Sequence, residues 1–305
     1  MDKVLVIGSY NVGLTVLGDR IPKLGETIIG SHFDMGPGGK GSNQAIAISR
    51  LGGNVSFLAK VGDDIFGKEA MKLFEREGID TAFIKVDSDA HTGAGIIFVD
   101  KDGHNSIGVA PGANYRLTIE ELDEADELFK SSKFLLMQLE TPLPVVYHAI
   151  RKAKENGVTV ILNPAPGQKI DSEYLSMIDI LTPNETETEI IAGLAVTDTE
   201  SAIEAAKKLV NDGVKNVIVT LGKQGCALIS AEKQQQYRAP EVNAVDTTGA
   251  GDAFNGGLVY ALAAGKNIDE AIEFGCMVGA YSVTSIGVVP GLPTMKDIEE
   301  FSKKV

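Results

Sequence analysis

The chain has 305 residues, enough for two average domains or for one large α/β domain with an insert. With 23% charged and 44% hydrophobic residues, disordered and collagen-like readings fail, and no apolar run reaches the ~18 residues that cross a bilayer. Asp plus Glu outnumber Lys plus Arg by 42 to 28, and the resulting charge of −14 argues against nucleic acid and anionic membrane as partners.

The first residues, MDKVLVIGSY, turn polar too soon for a signal peptide and read as the opening strand of a mature cytoplasmic protein. Further strand-like runs fall at 55–61, 134–139, 158–162, 178–182 and 217–221, after a first at 4–9. Helical patterns alternate with them. Residues 65–77 place Phe66, Ala70, Leu73 and Phe74 on one face, and Thr118-x-x-Glu121 and Thr197-x-x-Glu200 have the form of capping boxes. Near-continuous apolar strands between amphipathic helices predict a mainly parallel central sheet covered on both faces, a three-layer α/β/α sandwich.

Two stretches break this rhythm. Residues 12–33 read as short strands and turns, and 92–112 as a hairpin around Lys101-Asp102-Gly103. They predict a small discontinuous β-sheet, a lid or dimer surface, set apart from a main α/β domain made of 1–11, 34–91 and 113–305. Cys226 and Cys276 lie outside any CxxC or Cys/His spacing, and His32, His91, His104 and His148 are scattered, so no structural metal is expected.

Two glycine clusters carry the chemistry. In Asp246-Thr247-Thr248-Gly249-Ala250-Gly251-Asp252 small residues run straight into an apolar helical pattern. Bare backbone at a helix start makes an anion hole, and an acid placed there makes sense if Asp252 removes a proton from a hydroxyl that attacks a phosphate. The plainer reading is a glycine turn whose Asp caps the helix. The second cluster, Gly36 to Ala45, leads into a helix at 46–51 and lacks the P-loop spacing. Its bare backbone, Lys40 and Asn43 suit a polyhydroxylated small molecule better than a triphosphate. Gly8 to Gly13 does not fit GxGxxG, which leaves a nicotinamide-dependent oxidoreductase unsupported.

Together these strings resemble the ribokinase branch of the PfkB carbohydrate-kinase family. Gly38-Gly39-Lys40-Gly41-x-Asn43-Gln44-Ala45 is similar to the N-terminal signature, and Asp246 to Asp252 to the C-terminal DTxGAGD signature. Between them, Met137-Gln138-Leu139-Glu140, Asn163-Pro164-Ala165-Pro166, the NxxE of Asn184 to Glu187 and the turn Thr220 to Gly225 fall in the family's order, so the likeness spans residues 4 to about 293. The resemblance implies an ATP-dependent sugar kinase acting on a pentose, D-ribose first. Asp252 would be the general base, and Gly249, Ala250 and Gly251 the anion hole. Asn11, Gly39, Lys40, Asn43 and Glu140 would bind sugar. Asn184, Thr220, Gly222, Lys223, Gln224, Gly225, Gly251 and Cys276 would line the ATP site. Glu187 would act on magnesium through water. Asp246, Thr248, Ser282, Ser285, Gly287 and Gly291 would hold potassium, and a homodimer joined through the lids is implied.

The chain departs from the pattern at Asn11-Val12-Gly13, where the family has Asn-x-Asp. Gly13 cannot accept a hydrogen bond from a sugar and leaves space, so another furanose (2-deoxyribose, a ketose, a branched sugar) or a nucleoside is the rival substrate. Gly291 stands in place of a Ser near the cation, and Cys276 in place of a His against adenine. A catalytically silent sugar- or nucleotide-binding regulator is the rival of another class.

Overall fold

The computed structural model describes all 305 residues. In chain order its strands are β1 (Lys3–Ile7), β2 (Asn11–Leu17), β3 (His32–Gly38), β4 (Asn54–Gly62), β5 (Ile84–Asp87), β6 (Gly93–Val99), β7 (Asn105–Ala110), β8 (Phe134–Met137), β9 (Thr159–Leu162), β10 (Ile180–Leu181), β11 (Asn216–Thr220), β12 (Cys226–Ser230) and β13 (Gln234–Tyr237). Nine of them form one sheet in the order β13-β12-β11-β10-β9-β8-β1-β4-β5. Pairing is parallel from β5 to β11 and antiparallel only at the β12–β13 edge.

β1 shows why such strands read as unbroken apolar runs. Val4 and Val6 point into one core, Leu5 and Ile7 into the other, and all four are at most 1% exposed. Helices cover both faces of the sheet, so each strand position needs an apolar side chain. The expected three-layer sandwich is the observed architecture.

From β1 the chain builds outward to β4 and β5, then returns to β8 on the other side of β1. Strand order reverses between β1 and β8, and a crevice opens beyond the carboxyl ends of such neighbours. Residues that follow β1, β8, β9, β10 and β11 therefore share one edge of the sheet.

The second sheet has the order β3-β2-β6-β7 and joins two separate chain segments. Its hairpin turns at Asp100–His104, with His104 O accepting from Asp100 N at 2.9 Å. β3 extends to Gly38, so residues 34–38, read from sequence as part of the main domain, form a strand of the small sheet. Gly-Pro-Gly looks like a turn in sequence, but β3 is an edge strand, where a proline without N–H is tolerated. Phe33, Met35 and Ile96 lie on one face of this sheet, 58%, 53% and 42% exposed.

Local signals held in most places and slipped in two. The helix Ile65–Arg76 buries Ala70, Leu73 and Phe74, with Phe66 half-buried, and Thr118 and Glu121 form the expected capping box. The helix Thr199–Asn211 is capped by Asp198, not Thr197: Asp198 Oδ1 accepts from Ser201 N at 2.8 Å, and Ser201 Oγ accepts from Asp198 N at 3.0 Å. The helix read at 46–51 starts earlier, spanning Lys40–Arg50. Its first turn lies against the chain leaving β1, where a Cβ on Gly41 would come within 2.5 Å of Ser9 N. We expect Gly41→Ala to destabilise the fold by about 1–3 kcal/mol, the usual penalty for overpacking against backbone, read as a lower urea midpoint at unchanged slope.

Candidate active site

The helix Ala250–Ala263 begins at Gly249, whose φ of 78° lies in the left-handed region. A Cβ there would also sit 2.3 Å from Val288 Cγ1, so glycine serves both the turn and the packing. Gly251 is exposed, with no atom within 4 Å of the position a Cβ would take. The first turn of this helix, at the positive end of its dipole, is thus open on the Gly251 side, while Ala250 N donates to Thr247 O at 3.3 Å.

Asp252, two residues into the helix, is only 5% exposed. Its Oδ2 accepts from Asn43 Nδ2 at 2.8 Å and its Oδ1 from Gln44 Nε2 at 3.0 Å. Both donors come from the first turns of the helix Lys40–Arg50, so the two glycine clusters read from sequence meet at one carboxylate. Gly256 lets the helices close, since a Cβ there would lie 2.4 Å from Ala47 Cβ.

The groups expected to bind sugar gather around that meeting point. Glu140 Oε2 accepts from Lys40 N at 2.9 Å and from the Ser9 hydroxyl. Asn43 Oδ1 is buried and has no hydrogen-bond partner in the protein. Burial opposes the charge of Lys40, but the carboxylates of Asp252, Glu140 and Glu187 outweigh it and raise the pKa of the ammonium above its ordinary value. Gly39 precedes Lys40 with a φ of 93°. At the base of the small sheet, Asn11 Oδ1 accepts from Asn114 Nδ2 at 2.8 Å. A Cβ on Gly13 would be 3.6 Å from Gly36 O and 3.7 Å from Ile97 Cδ1, ordinary contact distances.

The residues expected at the nucleotide follow β10 and β11. Asn184 Oδ1 accepts from Glu187 N at 2.8 Å, and Glu187 Oε2 accepts from Asn184 N at 2.9 Å, a capping box at the start of the helix Glu185–Ala192. Glu187 is buried, not on a solvated helix face, and burial pushes its carboxyl pKa up. Asn184 also bridges to Thr220, and Gly222, Lys223 and Gln224 form an exposed turn before the buried Gly225. Cys276 is buried with its Sγ 3.7 Å from Cys226 Sγ.

The two loops expected at the monovalent cation are also brought together. Asp246 Oδ1 accepts from Thr248 N and Oδ2 from Gly287 N, both at 2.9 Å. Burial pushes the Asp246 carboxyl up, but these bonds outweigh it and hold its pKa below the usual carboxylate value. Ser282 donates its hydroxyl to Gly279 O at 2.9 Å, which leaves its backbone carbonyl as the free oxygen. A Cβ on Gly291 would lie 2.7 Å from that carbonyl. Ser285 is half-buried in the same loop, which reaches the anion hole through Val288.

Sequence reading assigned no role to Gln44, Gln138, Asn163, Thr182 and Asn255, all buried around Asp252. The available signal was polarity inside apolar runs: Gln138 lies between Met137 and Leu139, and Asn163 follows Leu162. A buried amide in such a place needs partners and marks a network.

Comparisons with known proteins show the family. A family model described as pfkB family carbohydrate kinase matches residues 1–295. The ribokinase of Haemophilus influenzae is 44% identical over 296 residues, 97% of each chain, and the deoxyribokinase of Salmonella typhimurium is 38% identical over 299 residues, 98% of each. Among solved structures, Arabidopsis thaliana ribokinase complexed with ribose and ATP superposes with a TM-score of 0.92 at 31% identity, covering 99% of both chains. Thermotoga maritima ribokinase gives 0.91 at 35% identity, covering 99% of this chain and all of that one. The buried carboxylate at the start of the helix Ala250–Ala263 thus sits in a chain that belongs to the pfkB family of carbohydrate kinases, as a ribokinase-like, ATP-dependent sugar kinase.

Proposed function

We propose that this kinase transfers the γ-phosphoryl group of ATP to the primary hydroxyl of D-ribose, giving ribose 5-phosphate, with Asp252 as general base. The observation that carries the reading is Asp252 itself, a carboxylate placed beside an open anion hole and beside the unpartnered Asn43 Oδ1. The hydroxyl gives its proton to Asp252 as its oxygen attacks the γ-phosphorus. The N–H groups at Gly249, Ala250 and Gly251 stabilise charge on the phosphoryl oxygens, the electrostatic contribution that dominates phosphoryl transfer. Asn11, Gly39, Lys40, Asn43 and Glu140 hold the sugar. Asn184, Thr220, Gly222 to Gly225 and Cys276 line the nucleotide.

The family's chemistry requires a divalent metal, which we assign as magnesium; bound here, it would offset the charge of the phosphates. Glu187 fits this role as a single buried carboxylate acting through water. The oxygen-only set of Asp246, Thr248, Ser282, Ser285, Gly287 and Gly291 suits potassium, which would keep the anion-hole loop in shape. The small sheet, residues 12–33 and 92–112 extended by the rest of β3, acts as the lid, and its exposed Phe33, Met35 and Ile96 form the homodimer surface. No helix is long and apolar enough to cross a membrane, and the two free thiols suit the cytoplasm.

A second reading, another furanose as substrate, is favoured by the small sheet. Gly13 pairs in register with Gly36 on one side and Gly95 on the other, a side-chain-free row next to Asn11. No atom lies within 4 Å of a Cβ placed on Gly36 or Gly95, so packing does not explain them. A substrate with fewer hydroxyls or an added substituent is compatible with that row.

The deciding experiment is ADP release with magnesium, with and without potassium, across pentoses, deoxypentoses, ketohexoses, branched sugars and nucleosides. The highest kcat/KM for ribose upholds the first reading, and a faster furanose replaces it with the second. Asp252→Asn should lower kcat by about 10²–10⁴-fold while ATP still binds; near-normal turnover would remove Asp252 from the base role. Gly13→Asp, which the space allows, should move the ribose-to-deoxyribose ratio of kcat/KM by about 10–10²-fold toward ribose, the worth of a hydrogen bond to a charged group.

Glu187→Gln separates function from stability. A carboxyl whose folded pKa is raised binds its proton more tightly when folded, so stability falls as pH rises from the unfolded value through the folded one. The glutamine keeps an acceptor for Asn184 N and has no charge to bury. The metal-free variant should therefore melt no lower than the parent at neutral pH, lose its share of that fall, and need more magnesium for turnover.

A further inference from the structure

Asp252 is held by a chain of amides whose orientations the protein fixes completely. Asn163 Nδ2 donates to the backbone carbonyl of Thr182 at 3.0 Å, and a carbonyl can only accept. Asn163 must then turn its Oδ1 to Gln44, whose Nε2 donates to it at 3.1 Å and to Asp252 Oδ1 at 3.0 Å. Gln44 Oε1 is left to accept from Gln138 Nε2 at 2.6 Å. The last atom of the chain, Gln138 Oε1, is buried without a partner. Room for it is made by Gly8, where a Cβ would lie 2.2 Å away. From Thr182 a second branch runs through its hydroxyl to Asn255 Oδ1 at 2.7 Å, and from Asn255 Nδ2 to Gly251 O at 2.8 Å. The same network thus touches the base and the anion hole.

We propose that Gln44 is a positioning residue for phosphoryl transfer, locking Asp252 Oδ1 so that Oδ2, on the Asn43 side, is the oxygen that takes the sugar's proton. The inference rests on Asp252 as base. In the step, the sugar O–H bond breaks and its proton passes to Oδ2, the sugar oxygen bonds to the γ-phosphorus, and the bond from that phosphorus to the bridging oxygen breaks to release ADP. A carboxylate free to rotate about its Cβ–Cγ bond presents either oxygen at varied angles, and misplacement of about 1 Å costs about 10²-fold in rate. Gln44 and Gln138 are both fully buried, so water does not replace a lost donor. Gln138 Nε2, donating to Gln44 Oε1, supports the orientation that Asn163 sets, while Gln138 Oε1 stays unpartnered.

The test is a double-mutant cycle on kcat. Gln44→Met should lower kcat by about 10²-fold with both KM values little changed, and in the Asp252→Asn background the same substitution should cost almost nothing further, because the base it positions is gone. Gln138→Met should lower kcat by a smaller factor; it exchanges the unpartnered Gln138 Oε1 for an unpartnered Gln44 Oε1, so the thermal midpoint should fall by no more than the loss of one hydrogen bond explains. This variant carries the test if Gln44→Met fails to fold. Full kcat in Gln44→Met or in Gln138→Met overturns the proposal, as does an equal loss from Gln44→Met in both backgrounds, the mark of general structural damage. Near-normal kcat in Asp252→Asn alone fails the base assignment and takes this inference with it, whereas a normal cycle partner beside a disabled Asp252→Asn fails only the inference.

Discussion

A carboxylate removed from water must be given hydrogen-bond donors, and at Asp252 that requirement decides where two helices go. Its donors sit on adjacent residues, Asn43 and Gln44, so the helix Lys40–Arg50 must bring its first turns up to the start of the helix Ala250–Ala263. That approach is possible only with small residues along the way. Gly41 lies against the backbone of Gly8 and Ser9, and Gly256 against Ala47. The glycine-rich signatures are therefore as much about helix packing as about ligands. Substituting a larger residue at either contact would displace the donors rather than remove them.

The small sheet obeys a different economy. β2 is a central strand, yet glycines lie beside it in both neighbours, at Gly38 and Gly93 opposite Asn11 and at Gly36 and Gly95 opposite Gly13. Glycine in a sheet interior weakens it unless something approaches closely. Gly93 has such a neighbour, with Asn11 Oδ1 2.0 Å from its would-be Cβ, and Gly36 and Gly95 have none. The base of the sheet is thus tightly fitted while the next row, beyond Asn11, is open.

Much of this was legible in the sequence because burial on both faces writes itself as continuous apolar runs. The parallel strands from β1 to β11 in the main sheet fell where such runs predict, apart from the short edge strand β5. The antiparallel edge was not read: Gln234, Gln235 and Gln236 carry no apolar alternation, and β13 exists through its pairing with β12. β3 was cut short because Gly-Pro-Gly has the composition of a turn. At the site, contiguous strings such as Gly249 to Asp252 could be found from their spacing. The amide chain could not, because residues 44, 138, 163, 182 and 255 come from different elements and become neighbours only when the sheet has formed.

The carboxyl edge of the main sheet also acts as a ruler. Asn11 and Glu140, proposed for the sugar, follow β1 and β8, and Asn184 and Thr220 to Gly225, proposed for the nucleotide, follow β10 and β11, with β9 between. Neighbouring strands are about 4.8 Å apart, so β8 and β10 lie two steps, about 10 Å, from each other and β1 and β11 four steps, about 19 Å, spacings set by backbone hydrogen bonds. No single side-chain replacement changes that spacing. Side chains on a separate sheet, by contrast, can be exchanged one at a time. On the proposed reading, such a division leaves the spacing of the main sheet constant while residues of the small sheet change, a physical reason why proteins named ribokinase and deoxyribokinase can share one scaffold.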